Sequence, residues 1–220
     1  MIINHTYKFI FVHIPKAAGT SVTEALTVLN SWADQEIGGT VFGEEVQNAY
    51  SVRFGLRKHA HAERIRAVVG NILWDRYFTF TFVRHPLGRL QSVYNFLREW
   101  TDGNPLRDRM LEFSSFDDFV LSGILESPDG GPDQIFVPQS QRLTDLSSGK
   151  LLVNFVGKVE TLGPDMAKIM SILKIPAHLI RPVGRHNVTK DAESVKPNPE
   201  ALKIIKSKYR SDYEMFKYAP

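Results

Sequence analysis

The sequence predicts a three-layer α/β protein, a mostly parallel central sheet flanked by helices, formed by one domain over residues 1–220. Two segments carry this expectation. Residues 9–30, FIFVHIPKAAGTSVTEALTVLN, and residues 78–97, FTFTFVRHPLGRLQSVYNFL, each pass from an apolar β-type run through a short turn into an amphipathic helical pattern. Strands that alternate with helices are joined by crossovers, which pair them in parallel. A third unit of the same kind runs from a strand over Leu151–Val156 into a helix from Pro164 to Leu173.

Taken in order, Phe9–Val12 forms the first strand, Pro15–Gly19 the turn, and Thr20-Ser21 the start of a helix whose apolar stripe is Val22, Ala25, Leu26 and Leu29. Residues 31–57, rich in glycine, polar and aromatic residues, read as an irregular insertion. Residues 61–69, HAERIRAVV, fit a helix that stops at Gly70. After the strand at 78–83, Pro86 suits the first turn of the next helix. Asp102-Gly103-Asn104-Pro105 and Ser127–Pro132 are loop signals around helical patterns near 106–124. A last helix, Pro199 to Lys208, leads into an aromatic tail.

Composition narrows the classes. With 43% hydrophobic residues the chain can bury a sizeable core, and a net charge of +3 without a long Lys/Arg run does not point to nucleic acid. It does suit anionic ligands. There is no cysteine, which excludes disulfides and thiol chemistry. The N-terminus is too short and polar for a signal peptide, and no run reaches the roughly 18 apolar residues of a membrane span. These features are compatible with a reducing cytosol, a cytoplasmic location is the expectation, and the sequons at Asn4 and Asn187 read as chance matches.

A strand, a small-residue loop and a helix start bring backbone N–H groups and a helix N-terminus toward one point, which is an anion site. Lys16 in the loop and the hydroxyls of Thr20 and Ser21 fit a phosphate there. An ordinary βα turn, with Lys16 solvated and Thr20 capping, fits the same residues. The order is not G-x-x-x-x-G-K-[ST], because Lys16 precedes Gly19 by three positions. In the second segment Arg84 stands where the strand ends and Ser92 lies eight residues on, about two helical turns from Pro86. A guanidinium fork and a hydroxyl suit a second phosphate; an ion pair and a small packing residue remain the plain alternative.

Together, Pro15-Lys16-Ala17-Ala18-Gly19-Thr20-Ser21 and Arg84-His85-Pro86-Leu87-Gly88-Arg89-Leu90-Gln91-Ser92 resemble the two nucleotide-binding motifs of the sulfotransferase superfamily. More narrowly, the chain is similar to the carbohydrate branch that includes heparan sulfate 2-O-sulfotransferases and many small bacterial members. Lys58-His59-Ala60, Pro138-Gln139-Ser140, Val156–Glu160 and the Tyr213–Tyr218 ending also look familiar. The resemblance implies a P-loop-like fold and the donor 3′-phosphoadenosine 5′-phosphosulfate (PAPS). It implies that Lys16, Ala17, Ala18, Gly19, Thr20 and Ser21 cradle the 5′-phosphosulfate, that Arg84 and Ser92 hold the 3′-phosphate, and that the acceptor is a carbohydrate or related hydroxyl. No metal is expected. Two departures stand out: Ala17-Ala18 replaces Thr-Gly or Gly-Gly, which asks that position 18 avoid a positive φ, and Gly88 replaces an acidic residue.

Sulfuryl transfer needs cations at the leaving phosphate and a base at the attacking hydroxyl. Lys16 is the expected cation. Of the seven histidines, His59 is the expected base and His61 its orienting or substrate-contacting neighbour, with the reverse assignment open. His13 and His85 read as packing or hydrogen-bonding residues, His186 as part of a basic turn, Glu160 as a structural carboxylate and Arg89 as a supporting or surface-pairing residue. A P-loop kinase and a non-catalytic nucleotide or sulfated-glycan binding module are the competing functions.

Overall fold

The computed structural model describes residues 1–101, 103–127, 134–184 and 196–219. Along the chain come β1 (Ile2–Asn4), β2 (Phe9–Val12), α1 (Gly19–Thr27), β3 (Gln35–Glu36), α2 (Val41–Phe54), α3 (Ala62–Val69) and α4 (Asn71–Arg76). β4 (Phe78–Val83), α5 (Pro86–Glu99), α6 (Arg107–Glu112), α7 (Phe116–Leu121), α8 (Gln139–Leu143), β5 (Phe155–Lys158) and α9 (Leu162–Ile172) follow. α10 (Pro199–Lys208) and α11 (Arg210–Phe216) complete the order. The elements pack as two compact units, Met1–Val83 with Gln141–His186 and Arg84–Ser140 with Asn187–Pro220.

The first unit holds a five-stranded sheet in the order β3-β1-β2-β4-β5. It is mixed, which corrects the mostly parallel sheet expected from sequence. β2, β4 and β5 are parallel, with Phe9 opposite Phe78 and Phe80 opposite Phe155. β1 and β3 add antiparallel, with Ile2 opposite Phe11 and opposite Glu36. The cause is local: the turn between Asn4 and Phe9 returns the chain directly on itself, with Lys8 at φ 58°, so no crossover is available. The Asn4 side chain fixes this turn, accepting from the Tyr7 amide at 2.6 Å and donating to the Leu29 carbonyl at 3.0 Å.

Alternation along the strands divides the sheet into two chemically different faces. Ile2, Phe9, Phe11, Phe80 and Phe82 lie on one of them and form a core with Val22 and Leu26 of α1 and Met166, Ile169 and Met170 of α9. Gly157 of β5 shares this face. A Cβ there would sit 2.5 Å from the Phe82 ring, so the glycine makes room for the phenyl. Residues 31–57 are not irregular throughout, a second correction. They include α2, which has Thr40 as N-cap, accepting from the Gly43 amide at 3.1 Å, and Gly55 at φ 64° as C-cap.

The second unit is helical. Leu90, Val93 and Leu97 of α5, Phe116, Phe119 and Val120 of α7, Ile205 of α10 and Tyr209 build its core, with Phe119 in ring contact with Tyr94 at 5.2 Å and Phe136 at 5.9 Å. Ser115 caps α7 by accepting from the Asp118 amide, and Asn198 caps α10 by accepting from the Ala201 amide. Pro86 opens α5 as the sequence suggests. The Pro128–Pro132 loop signal, His186 and the Asn187 sequon lie outside the described residues.

Candidate active site

In the first unit, β2 ends at Val12 and the chain reaches α1 through His13–Ala18. Lys16 and Ala18 both stand in the left-handed region, at φ 62° and 57°. The expectation that Ala18 avoids a positive φ is therefore overturned: the turn needs it, and a left-handed alanine costs about 1–2 kcal/mol relative to the right-handed form. Ala18 is also the N-cap of α1 and gives it no side-chain cap bond. The Val22 amide donates to the Ala18 carbonyl at 3.1 Å, so the helix begins with the amides of Gly19, Thr20 and Ser21 at its positive end. Ala17 and Ser21 are buried, while Lys16 and Thr20 are half-buried.

Gly19 is required by space rather than by φ. A Cβ there would lie 1.8 Å from Nε2 of His13. His13 is buried, stacks on Phe11 at 5.7 Å, and meets the ring of His59 edge-on at 4.8 Å between centroids. The loop glycine, the histidine that ends the strand and the expected base are thus in one cluster. His13 was expected only to pack or hydrogen-bond. It does pack, but its buried Nδ1 has no hydrogen-bond partner among the described residues.

Burial holds the His13 pKa well below its ordinary value, and the basic groups around it, the N-terminal amine first and then His59, Lys58 and Lys16, add to the shift. His13 is therefore neutral where an unfolded histidine begins to charge. Below about pH 6.5 the unfolded chain binds a proton that the native one refuses, so stability falls as pH falls, by up to about 1.4 kcal/mol per pH unit. Urea unfolding between about pH 7 and 5 should show this slope, and His13→Gln should flatten it. Equal slopes in the two proteins would mean that native His13 titrates normally.

His59 is held by its backbone. Its carbonyl accepts from Nη1 of the buried Arg142 at 3.0 Å, the preceding Lys58 amide donates to Gln47 Oε1 at 3.0 Å, and Lys58 Nζ pairs with Glu44 at 2.5 Å. Glu44 also accepts from the Gly39 amide, and Gly38 packs against the Lys58 stem, so the start of α2 braces the histidine segment. Backbone and side-chain bonds of this kind keep the Glu44 carboxyl below its usual range against the opposing effect of burial. His61 is the N-cap of α3 and gives no side-chain cap bond. Glu44, Gln47 and Arg142 were not singled out from sequence; Thr40 and Gly55, the caps of α2, were the available signal.

The second unit begins at Arg84, directly after β4. Its guanidinium lies beside Gly88, where a Cβ would be 3.5 Å from Nε. Gly88 and Ser92 are four residues apart on α5 and share a helix face. Arg89 is no surface residue: it is 2% exposed, with Nη2 donating to the Ile135 carbonyl at 2.8 Å and Nη1 to that of Val137 at 3.3 Å. His85 sits edge-on to both Tyr213 and Tyr218.

The model of the sulfotransferase family matches residues 1–219. This chain belongs to the sulfotransferase family. The sulfotransferase is also similar to an uncharacterized protein of Archaeoglobus fulgidus, 32% identical over 116 residues, which is 52% of this chain and 82% of the relative. No solved structure matches it. Within the sulfotransferase, Gly19 and His59 both meet the His13 ring in the first unit, Lys16 belongs to the loop that leads to Gly19, and Arg84 and Ser92 occur in the second unit. No helix among the described residues is long and apolar enough to cross a membrane.

Proposed function

We propose that this sulfotransferase moves a sulfuryl group from PAPS to a hydroxyl of a carbohydrate or related acceptor. The observation that carries the reading is the packing of His59 against His13, which itself sits on Gly19, in the loop that contains Lys16. This packing supports a reading in which His59 is the proton acceptor, close to the loop that contains Lys16 and leads into α1, a nine-residue helix.

The donor supplies the sulfuryl group, already activated as a phosphosulfate anhydride. The acceptor oxygen attacks sulfur, the bond from sulfur to the bridging phosphate oxygen breaks, and adenosine 3′,5′-bisphosphate leaves. Lys16 and the amides at the start of α1 meet the charge that builds on the leaving phosphate. His59 takes the proton of the attacking hydroxyl. His13, kept neutral by burial, holds the loop and the His59 ring without adding a charge of its own. Arg84, with Ser92 on the adjoining helix face, binds the 3′-phosphate. A mildly basic chain, net +3, favours approach of an anionic donor and an anionic glycan.

Calorimetry tests the donor. Adenosine 3′,5′-bisphosphate is expected to bind far more tightly than adenosine 5′-phosphate or ATP. Arg84→Ala should remove most of that preference, since a charged hydrogen bond contributes about 1.5–3 kcal/mol. Tighter binding of ATP with Mg²⁺ would overturn the reading in favour of a kinase. Incubation with sulfur-labelled PAPS and a panel of glycans, lipids and phenols tests the acceptor; label transferred only to phenols or lipids would refute the carbohydrate assignment.

A further inference from the structure

We infer that Gln139 and Asp212 are positioning residues for Arg84, forming a buried carboxylate–amide relay that fixes the guanidinium for recognition of the 3′-phosphate. The inference rests on the reading of Arg84 as the 3′-phosphate ligand. All of its atoms belong to the second unit.

β4 stops at Val83, so the peptide groups of Arg84 lie beyond the strand ladder. The side chain of Gln139 takes the place of the missing strand. Its Oε1 accepts from the Arg84 amide at 2.9 Å and its Nε2 donates to the Arg84 carbonyl at 2.8 Å. Both backbone groups of one residue are therefore engaged by one amide, which restricts the rotation of Arg84 about its own backbone.

The amide is in turn fixed by Asp212. Asp212 Oδ2 accepts from Gln139 Nε2 at 3.2 Å and from the Gln139 backbone amide at 2.9 Å, and Oδ1 accepts from the Ser140 amide at 2.7 Å. A carboxylate only accepts, so it selects the NH₂ end of the Gln139 side chain and leaves Oε1 facing Arg84. The relay has one orientation. Gln139 and Asp212 are both 0% exposed. Burying a carboxylate is costly unless its oxygens are satisfied, and here three N–H donors satisfy them. The field of Asp212 also reaches the buried Arg89, where it opposes the lowering of the guanidinium pKa by burial.

A merely structural role, closing the N-terminus of α8, predicts lost stability and nothing else. Positioning predicts lost discrimination. The experiment measures, by calorimetry, the ratio of affinities for adenosine 3′,5′-bisphosphate and adenosine 5′-phosphate in the wild type, Arg84→Ala, Gln139→Met and the near-isosteric Asp212→Asn. It also follows hydrogen exchange of the Arg84 amide. In Gln139→Met the ratio is expected to fall about five- to tenfold, the equivalent of one hydrogen bond, while affinity for adenosine 5′-phosphate stays within about twofold and the Arg84 amide loses protection. Asp212→Asn should shift the ratio in the same direction, and it carries the test should Gln139→Met fail to fold. If Arg84→Ala erases the preference but the Gln139 and Asp212 variants keep it, the positioning role is overturned alone. If the wild type shows no preference, the 3′-phosphate reading falls, and with it the function of the relay, whatever the exchange data show.

Discussion

His59→Ala is expected to lower turnover by about 100- to 10,000-fold while leaving affinity for adenosine 3′,5′-bisphosphate nearly unchanged. Two contacts of this segment persist in the variant, because the donation from Arg142 to the carbonyl of residue 59 and that from the Lys58 amide to Gln47 do not involve the imidazole. Removing the ring also uncovers one edge of His13, whose side chain remains anchored by its stack on Phe11. Steady-state rates with PAPS at saturating acceptor, together with calorimetry, check both halves. An active His59→Ala with an inactive His61→Ala would move the proton to the N-cap of α3; activity in both variants would place the base elsewhere.

Lys16→Ala is expected to cut turnover by about 100- to 1000-fold, the usual cost of losing one group that stabilises developing charge, with a much smaller loss of donor affinity. Alanine carries the same Cβ as lysine, so the φ of 62° at this position is no more strained in the variant, and the loop keeps its path. The side chain beyond Cβ, three methylenes and the ammonium, is removed. Single-turnover rates separate the chemical step from product release, and a near-normal rate would take Lys16 out of the mechanism.

The parts of this protein that were legible in its sequence are those where local pattern and tertiary packing agree. The run Phe9–Val12 and the stripe Val22, Ala25 and Leu26 gave β2 and α1 correctly, as did Phe78–Val83 with Pro86 for β4 and α5. Where a segment lacks a buried face the pattern disappears. α2 buries only Gly43 among its 14 residues, so no periodic apolar stripe announces it, although its caps are both present. The strand expected at Leu151–Val156 forms instead at Phe155–Lys158, because Leu151 makes only an isolated bridge with Thr144 and Val153 is buried without pairing. Asn154 sets the later register: its Oδ1 accepts from the Thr79 amide at 2.8 Å.

At the candidate site, the sequence marked candidate residues but not the contacts that hold them. Lys16, Gly19, His59, Arg84 and Ser92 follow from short motifs. The reason for Gly19 does not, because the ring that forbids a side chain there comes from His13, six positions earlier, through the shape of the turn. Arg142, Gln139 and Asp212 act from far along the chain, and nothing local marks a glutamine as a substitute strand.

The antiparallel hairpin has a consequence for association between molecules. A sheet built only of β2, β4 and β5 would expose the backbone of β2 along one border, a row of unpaired N–H and C=O groups open to a foreign strand. β1 covers that row, and the border it creates is covered in turn by only two residues, Gln35–Glu36 of β3. At that border the Glu36 carboxylate is turned inward, 7% exposed, and accepts from Thr27, Asn30 and Thr40. The opposite border, β5, is four residues long and ends in Lys158. Short edges, an inward charge and a terminal lysine are the features by which sheets discourage edge-to-edge aggregation, so this arrangement protects a phenylalanine-rich sheet from polymerising through its own strands.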